Sequence, residues 1–77
     1  MEKKGYLLRI EPRIKERLAQ LRISQAWLAR IMNIDRGTIN RYCNGNLIPH
    51  LDRCLEIANM LACHVDDLWV LRNLEKL

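Results

Sequence analysis

The stretch "SQAWLARIMNIDRGTINRYCNGN", residues 24–46, constrains this chain most, because it holds two helix-forming runs with almost nothing between them. Ser24 is a helix N-cap type, and in "QAWLARIM" Leu28 and Ile31 fall on an inward side while Ala29 lets a neighbouring backbone come close. Asn33 follows, and asparagine tolerates the left-handed conformation that ends a helix better than other non-glycine residues, so this helix is expected to stop at Met32. Asp35 is a fresh N-cap. It opens a run with Ile39, Tyr42 and Cys43 on the inner side, closed by Asn44-Gly45. Two helices joined by so short a turn must cross steeply, which is the helix-turn-helix arrangement.

The remaining elements arrange themselves around this pair. A chain of 77 residues supplies one domain at most, with a core made from a few closely packed elements. "GYLLRI" reads as a short extended segment ended by Glu11-Pro12, since the residue before proline avoids the α region. Pro12 then suits the first position of a helix over about 12–22, whose apolar face is Ile14, Leu18 and Leu21. After "NLIPH", the run "LDRCLEIANMLA" places Leu51, Cys54, Leu55, Ala58, Leu61 and Ala62 on one broad stripe of a fourth, core-facing helix. "HVDD" reads as a cap followed by two acids at the N-terminus of a fifth helix through Leu68 and Trp69, which the tail "VLRNLEKL" could extend. The expected division is an extended segment over 1–11, a helix-turn-helix domain over 12–70 and a C-terminal tail over 71–77.

Charge is distributed unevenly. Residues 1–50 carry ten Lys and Arg against four acids, and residues 51–77 carry three against five, within a formal net charge of +4. The first part suits a polyanion, and the second faces something else. No window approaches the ~18 apolar residues of a membrane span, and "MEKKGYLLRIEPR" is too weakly apolar for a secretory signal, so a soluble cytoplasmic protein is expected. Cys43, Cys54 and Cys63 are odd in number and lie in helical patterns, which predicts reduced thiols rather than a disulfide framework.

Residues 24–69 resemble the phage repressor and Cro type of helix-turn-helix domain. Ser24-Gln25 stands where that family usually has Thr-Gln, Leu28-Ala29 where it has Leu-Ala, and Asn33 where it most often has the turn glycine. Arg36, Thr38-Ile39, Arg41 and Asn44-Gly45 fall on its "SRSTISRIENG" pattern and Pro49 on its loop proline, while Ile57-Ala58, Leu61 and Asp66-Asp67-Leu68 fall on its closing "IAxxLxxxxDEL". The resemblance implies an all-α, four- to five-helix lambda-repressor-like bundle with a helix-turn-helix and a short extended N-terminal segment. It further implies a sequence-specific double-stranded DNA-binding regulator, a repressor or an activator, that works as a homodimer on two half-sites.

Site residues follow. Arg36, Asn40 and Asn44 are spaced i, i+4, i+8 on the third helix, with Gly37 and Arg41 on the adjoining strip, an outer face without a carboxylate. Arg36, Gly37, Asn40 and Arg41 are the expected base readers: arginine offers a bidentate fork that matches guanine, and Gly37 would allow close approach. Ser24, Gln25, Thr38, Asn44 and Asn46 are the expected phosphate contacts. Two departures stand out, Trp27 where the family often has a capping glutamate and Cys43 where it has the acid of "ENG". Trp27 is expected to be covered by Tyr6 and Leu8, and Cys43 to be a small apolar filler beside the DNA surface.

Rival chemistry is thin. His50 and Cys54 are i, i+4, but Cys63-His64 lies about nine residues further on, roughly 13 Å along a helix, too far to share one zinc ion. No metal or cofactor is expected. Without a Ser/His/Asp set, a phosphate-cradling glycine loop or paired carboxylates beyond Asp66-Asp67, an enzyme is not expected either. The alternative is a protein-interaction module or antitoxin-like partner-binding protein on the same fold. The dimer contact is expected on residues 64–77, through Trp69, Leu71, Leu74 and Leu77, with edge pairing of "YLLRI" as second choice.

Overall fold

A computed structural model describes residues 8–73. Its elements in order are β1 (Leu8–Pro12), α1 (Ile14–Leu21), α2 (Gln25–Met32), α3 (Arg36–Asn44), α4 (Leu51–Met60), α5 (Val65–Leu68) and β2 (Trp69–Asn73). This is the helical bundle expected, with one addition: β1 and β2 join as an antiparallel pair, Glu11 opposite Val70 and Pro12 opposite Trp69.

A left-handed residue ends four of the helices, Gly45 among them, and at the other three an apolar anchor follows it. The residue after α1, Arg22, the residue after α2, Asn33, and Ala62 just past α4 are left-handed, at φ of 58°, 55° and 56°. The next residue's N–H reaches back into the helix just finished: Ile23 to the Leu18 carbonyl (2.9 Å), Ile34 to Ala29 (2.9 Å) and Cys63 to Ala58 (3.0 Å). These bonds satisfy carbonyls that a helix end otherwise leaves open. Ile23, Ile34 and Cys63 pack against the core, and the residues after them, Ser24, Asp35 and His64, are the N-caps of the following helices. A left-handed residue, an apolar anchor and a cap thus turn the chain sharply three times.

The core draws on every helix: Ile14 and Leu18, Leu28 and Ala29, Ile39, Tyr42 and Cys43, Ile57, Ala58 and Leu61, and Leu68. Two expectations about facing are corrected. Leu51 is 69% and Leu55 53% exposed, and Ala62 is also exposed, because α4 turns inward the strip through Cys54, Ile57, Ala58 and Leu61. Ile31 is exposed, since the inward side of α2 runs through Leu28, Ala29 and, partly buried, Met32. Cys43 is buried with Ile39 and Tyr42, the apolar filler on the inner side of α3 that its place in the pattern suggests.

The two ends of the domain differ most from expectation. Pro12 closes β1 instead of opening α1, and Arg13 is the N-cap of α1. The Arg13 N–H donates to the Leu68 carbonyl at 2.7 Å, which ties this turn to the end of α5. The tail does not extend α5. That helix ends after four residues, and Trp69, Val70 and Leu71, types that fit a pleated surface, continue as a strand because β1 offers it a partner. Trp69 packs against the core and Leu71 is 63% exposed. Tyr6, Leu74 and Leu77 lie outside the described residues, as does the side chain of Leu8, while Trp27 is half-buried against the core. Among the described residues no helix is long and apolar enough to cross a membrane.

Candidate nucleic-acid interface

Helix α3 is short, and both of its ends are held. Asp35 caps its start, the carboxylate accepting from the Thr38 N–H at 3.2 Å, and Gly45 at φ 81° ends it. Ile39, Tyr42 and Cys43 are buried, which fixes the rotation of the helix about its axis. That rotation leaves Arg36, Gly37, Asn40, Arg41 and Asn44 exposed together along one side. Neither Arg36 nor Arg41 has a carboxylate partner among the described residues, whereas Arg13 and Arg72 share Glu11 and Arg53 pairs with Glu56.

The start of α2 lies beside this face and is joined to it by side-chain amides. Asn40 Nδ2 donates to Gln25 Oε1 at 3.3 Å, and Asn44 Nδ2 donates to Asn40 Oδ1 at 3.0 Å. The row runs from the first residue of α2 to the last of α3 and leaves the Gln25 amide NH2 free to donate outward. Ser24 Oγ accepts from the Trp27 N–H at 3.0 Å, so the cap is made although the family's glutamate is absent, and the hydroxyl proton stays available. The two helix starts differ electrically: Asp35 already places a negative charge at the start of α3, whereas α2 begins behind a neutral serine. An anion would meet the open amides of α2 first.

The other residues expected from sequence differ in exposure. Gln25 and Thr38 are half-buried, and Ser24, Asn44 and Asn46 are exposed. Asn46 follows Gly45, where its N–H donates to the Arg41 carbonyl at 3.0 Å. Gly37 has a local reason to be glycine: a Cβ there would lie 2.9 Å from Asp35 Oδ2, the oxygen that caps the helix. The amide row was not legible in the sequence, since three amide residues at those positions carry no pairing signal.

A further contact borders the site. A Cβ on Gly45 would sit 3.3 Å from the Pro12 ring, so β1 lies against the end of α3, and Arg9 to Pro12 line a shallow pocket with Asn44 and Gly45. Sequence reasoning left Arg9 without a role, because nothing in "GYLLRI" says which element it will pack beside. The thiols keep away from this surface. Burial pushes Cys43 above the ordinary thiol range, with Lys15 opposing, and burial also raises Cys54 and Cys63. A thiol held neutral is a poor nucleophile and a poor metal ligand.

Comparison with known proteins agrees with this fold. A family model described as helix-turn-helix matches residues 14–68, from the first residue of α1 to the last of α5. Among solved structures, the crystal structure of a candidate DNA-binding protein from Bacteroides fragilis is similar, with a TM-score of 0.73 and 32% identity over 78% of this chain and 97% of that one. No curated protein matches the chain. On a match that spans the bundle, the chain belongs to the helix-turn-helix family of the phage repressor and Cro type, a family of DNA-binding domains.

Proposed function

We propose that this protein is a sequence-specific regulator of transcription, a repressor, that lays α3 in the major groove of double-stranded DNA. The observation that carries the reading is the outer face of α3, where Arg36 and Arg41 are exposed and free of carboxylates among the described residues while Ile39, Tyr42 and Cys43 hold the helix down. In this reading Arg36, Asn40 and Arg41 read base edges and Gly37 keeps the strip low enough for the groove. Ser24, Gln25, Thr38, Asn44 and Asn46 contact phosphates on either side and set the register. Regulation is by occupancy of the site in the cytoplasm, without enzymatic chemistry or a cofactor. The similar protein from Bacteroides fragilis, itself described as DNA-binding, supports the same class.

The protein acts as a homodimer in this proposal, because one small domain covers too little DNA for strong selectivity. Its contact is the C-terminal part. Trp69 is withdrawn from that role by its packing on the core, and Leu71, 63% exposed opposite Ile10 at 43%, carries it instead. Selection from random duplex DNA tests the whole reading. The expected product is a site with two half-sites whose centres lie about one helical turn, ~34–36 Å, apart. Failure to enrich any sequence, together with binding that ignores salt, would sink the proposal.

A second reading, a partner-binding module on the same fold, has one observation in its favour. Ile48 just before α4 and Leu51 and Leu55 on it are 42%, 69% and 53% exposed. Replacing Leu51 and Leu55 by Ser would leave DNA affinity unchanged if this surface serves another protein only.

A further inference from the structure

We infer that Asn40 is a positioning residue for the phosphate contact of Gln25: it fixes which end of the Gln25 amide points outward, and so ties the start of α2 to the recognition strip of α3. The inference rests on the DNA-binding reading above and deepens it. An amide side chain has a donor end and an acceptor end of nearly the same shape. A phosphate oxygen only accepts, so Gln25 serves it with the NH2 end and repels it with the carbonyl end. Left alone, the side chain turns either end to the duplex. Asn40 removes that choice, because its Nδ2 donates to Gln25 Oε1 at 3.3 Å and one NH2 group cannot accept from another.

Asn40 is held in its turn. One helical turn further on, Asn44 Nδ2 donates to Asn40 Oδ1 at 3.0 Å, which leaves Nδ2 as the end that faces Gln25. Both bonds therefore run in one direction, from the last residue of α3 to the first of α2, and bonds in such a chain polarise one another. The chain ends where an anion is best received. Ser24 caps α2 without a charge, and the backbone N–H groups of Gln25 and Ala26 have no partner among the described residues. Asn40 and Asn44 are exposed, so in the free protein water competes for both bonds; a duplex laid on the strip displaces that water and strengthens them. The second Nδ2 proton and the second Oδ1 lone pair of Asn40 stay open to a base edge, so the positioning role stands beside base reading.

A cycle of Asn40→Ala, Gln25→Ala and the double variant in the full chain tests this. Affinity is measured on a selected site and on a random duplex, and folding is checked by thermal melting. Asn40 is exposed and alanine is a good helix former, so Asn40→Ala should melt close to the natural chain. On the random duplex, where no base is chosen, it should bind roughly 2- to 12-fold more weakly, the range of one net hydrogen bond, and the same change should cost nothing further once Gln25 is alanine. That coupling separates positioning from reading. Unchanged affinity on the random duplex, or an equal loss in both backgrounds, overturns the role of Asn40 while leaving the regulator reading intact. A natural chain that binds no duplex overturns both.

Discussion

Gly37→Ala separates two explanations of that glycine by magnitude. In a helix, glycine is less favourable than alanine by up to about 1 kcal/mol, so the substitution by itself should stabilise α3. The added methyl, however, would lie 2.9 Å from Asp35 Oδ2, and that oxygen accepts the Thr38 N–H. Relief comes from rotating the carboxylate, which gives up the cap at a cost of about 1 kcal/mol. The two terms cancel, and the expected change in unfolding free energy is close to zero. In an Asp35→Ala background the cap is already gone, and the same substitution should stabilise by the full amount of about 1 kcal/mol. The double-mutant cycle therefore has a coupling energy of about 1 kcal/mol.

Urea unfolding followed by tryptophan fluorescence measures all four corners, with melting shifts of about 4–8 °C per kcal/mol as a second readout for a domain of this size. Stabilisation of the otherwise natural chain by the full ~1 kcal/mol, with no coupling to Asp35, would refute the clash. Because stability is expected to stay constant, any loss of DNA affinity in Gly37→Ala reports the close approach of duplex to this strip rather than damage to the fold. Retained affinity would leave the cap as the whole reason for the glycine.

Ala62→Gly should stabilise the domain by about 1 kcal/mol, because Ala62 is exposed and left-handed at φ 56°, where a Cβ is strained; no gain in urea midpoint would mean that the turn holds no strain. Arg17→Met should destabilise by about 1–2 kcal/mol, since the Arg17 guanidinium donates to the Leu61 carbonyl at 2.9 Å and to the Ala62 carbonyl at 3.0 Å just past α4; an unchanged melting point would count against that tie. Arg36→Ala and Arg41→Ala should each relax preference at one base pair and cost about 1–3 kcal/mol of binding, whereas Gln25→Ala should weaken all sequences alike, as a competition assay with single-base variants would read. The three thiols are raised above the ordinary 9.0 by burial, so below about pH 8 they are neutral folded or unfolded and contribute almost no pH dependence. As pH rises further the unfolded chain ionises first and stability falls until the folded values are passed; urea midpoints from about pH 8 to 10 should fall less steeply in a Cys43, Cys54 and Cys63→Ala chain.

How much was legible in sequence depended on whether a position's residue type matches its backbone. Asn33 and Asn44-Gly45 were readable as helix ends because asparagine and glycine favour left-handed backbone, and Ser24 and Asp35 were readable as caps for the same kind of reason. Arg22 and Ala62 occupy the same left-handed conformation, yet arginine and alanine carry no such signal, so the repetition of one turn device went unseen. Facing failed where two strips of a helix were both apolar. In α4 Leu51 and Leu55 compete with Ile57 for the inside, and only the packing of the other helices decides for Ile57. Of the candidate site, the strip on α3 was legible because the spacing of Ile39 and Tyr42 fixes which side faces out. The amide row from Gln25 to Asn44 was not, because it depends on how α2 and α3 cross.

The strand pair shows why the ends of the chain resisted reading. Neither "LRIEP" nor "WVLRN" specifies a sheet alone, since a strand needs a partner and these two are some sixty residues apart in sequence. Once the helices close the bundle, the Arg13 N–H meets the Leu68 carbonyl, and the segments beyond that bond are brought side by side in register. The two sites first considered for a dimer contact, the tail and the N-terminal strand, are thereby one surface. Alternation along a strand then divides it. Ile10 and Leu71 face one way as an exposed apolar pair, and Arg9, Glu11 and Arg72 face the other, where Glu11 pairs with Arg72. In the proposed dimer, the contact between two copies would use the face of Ile10 and Leu71. A change in pairing register would exchange the two faces, so the position of Pro12 against Gly45, which ties β1 to α3, would align the dimer contact with the recognition helix.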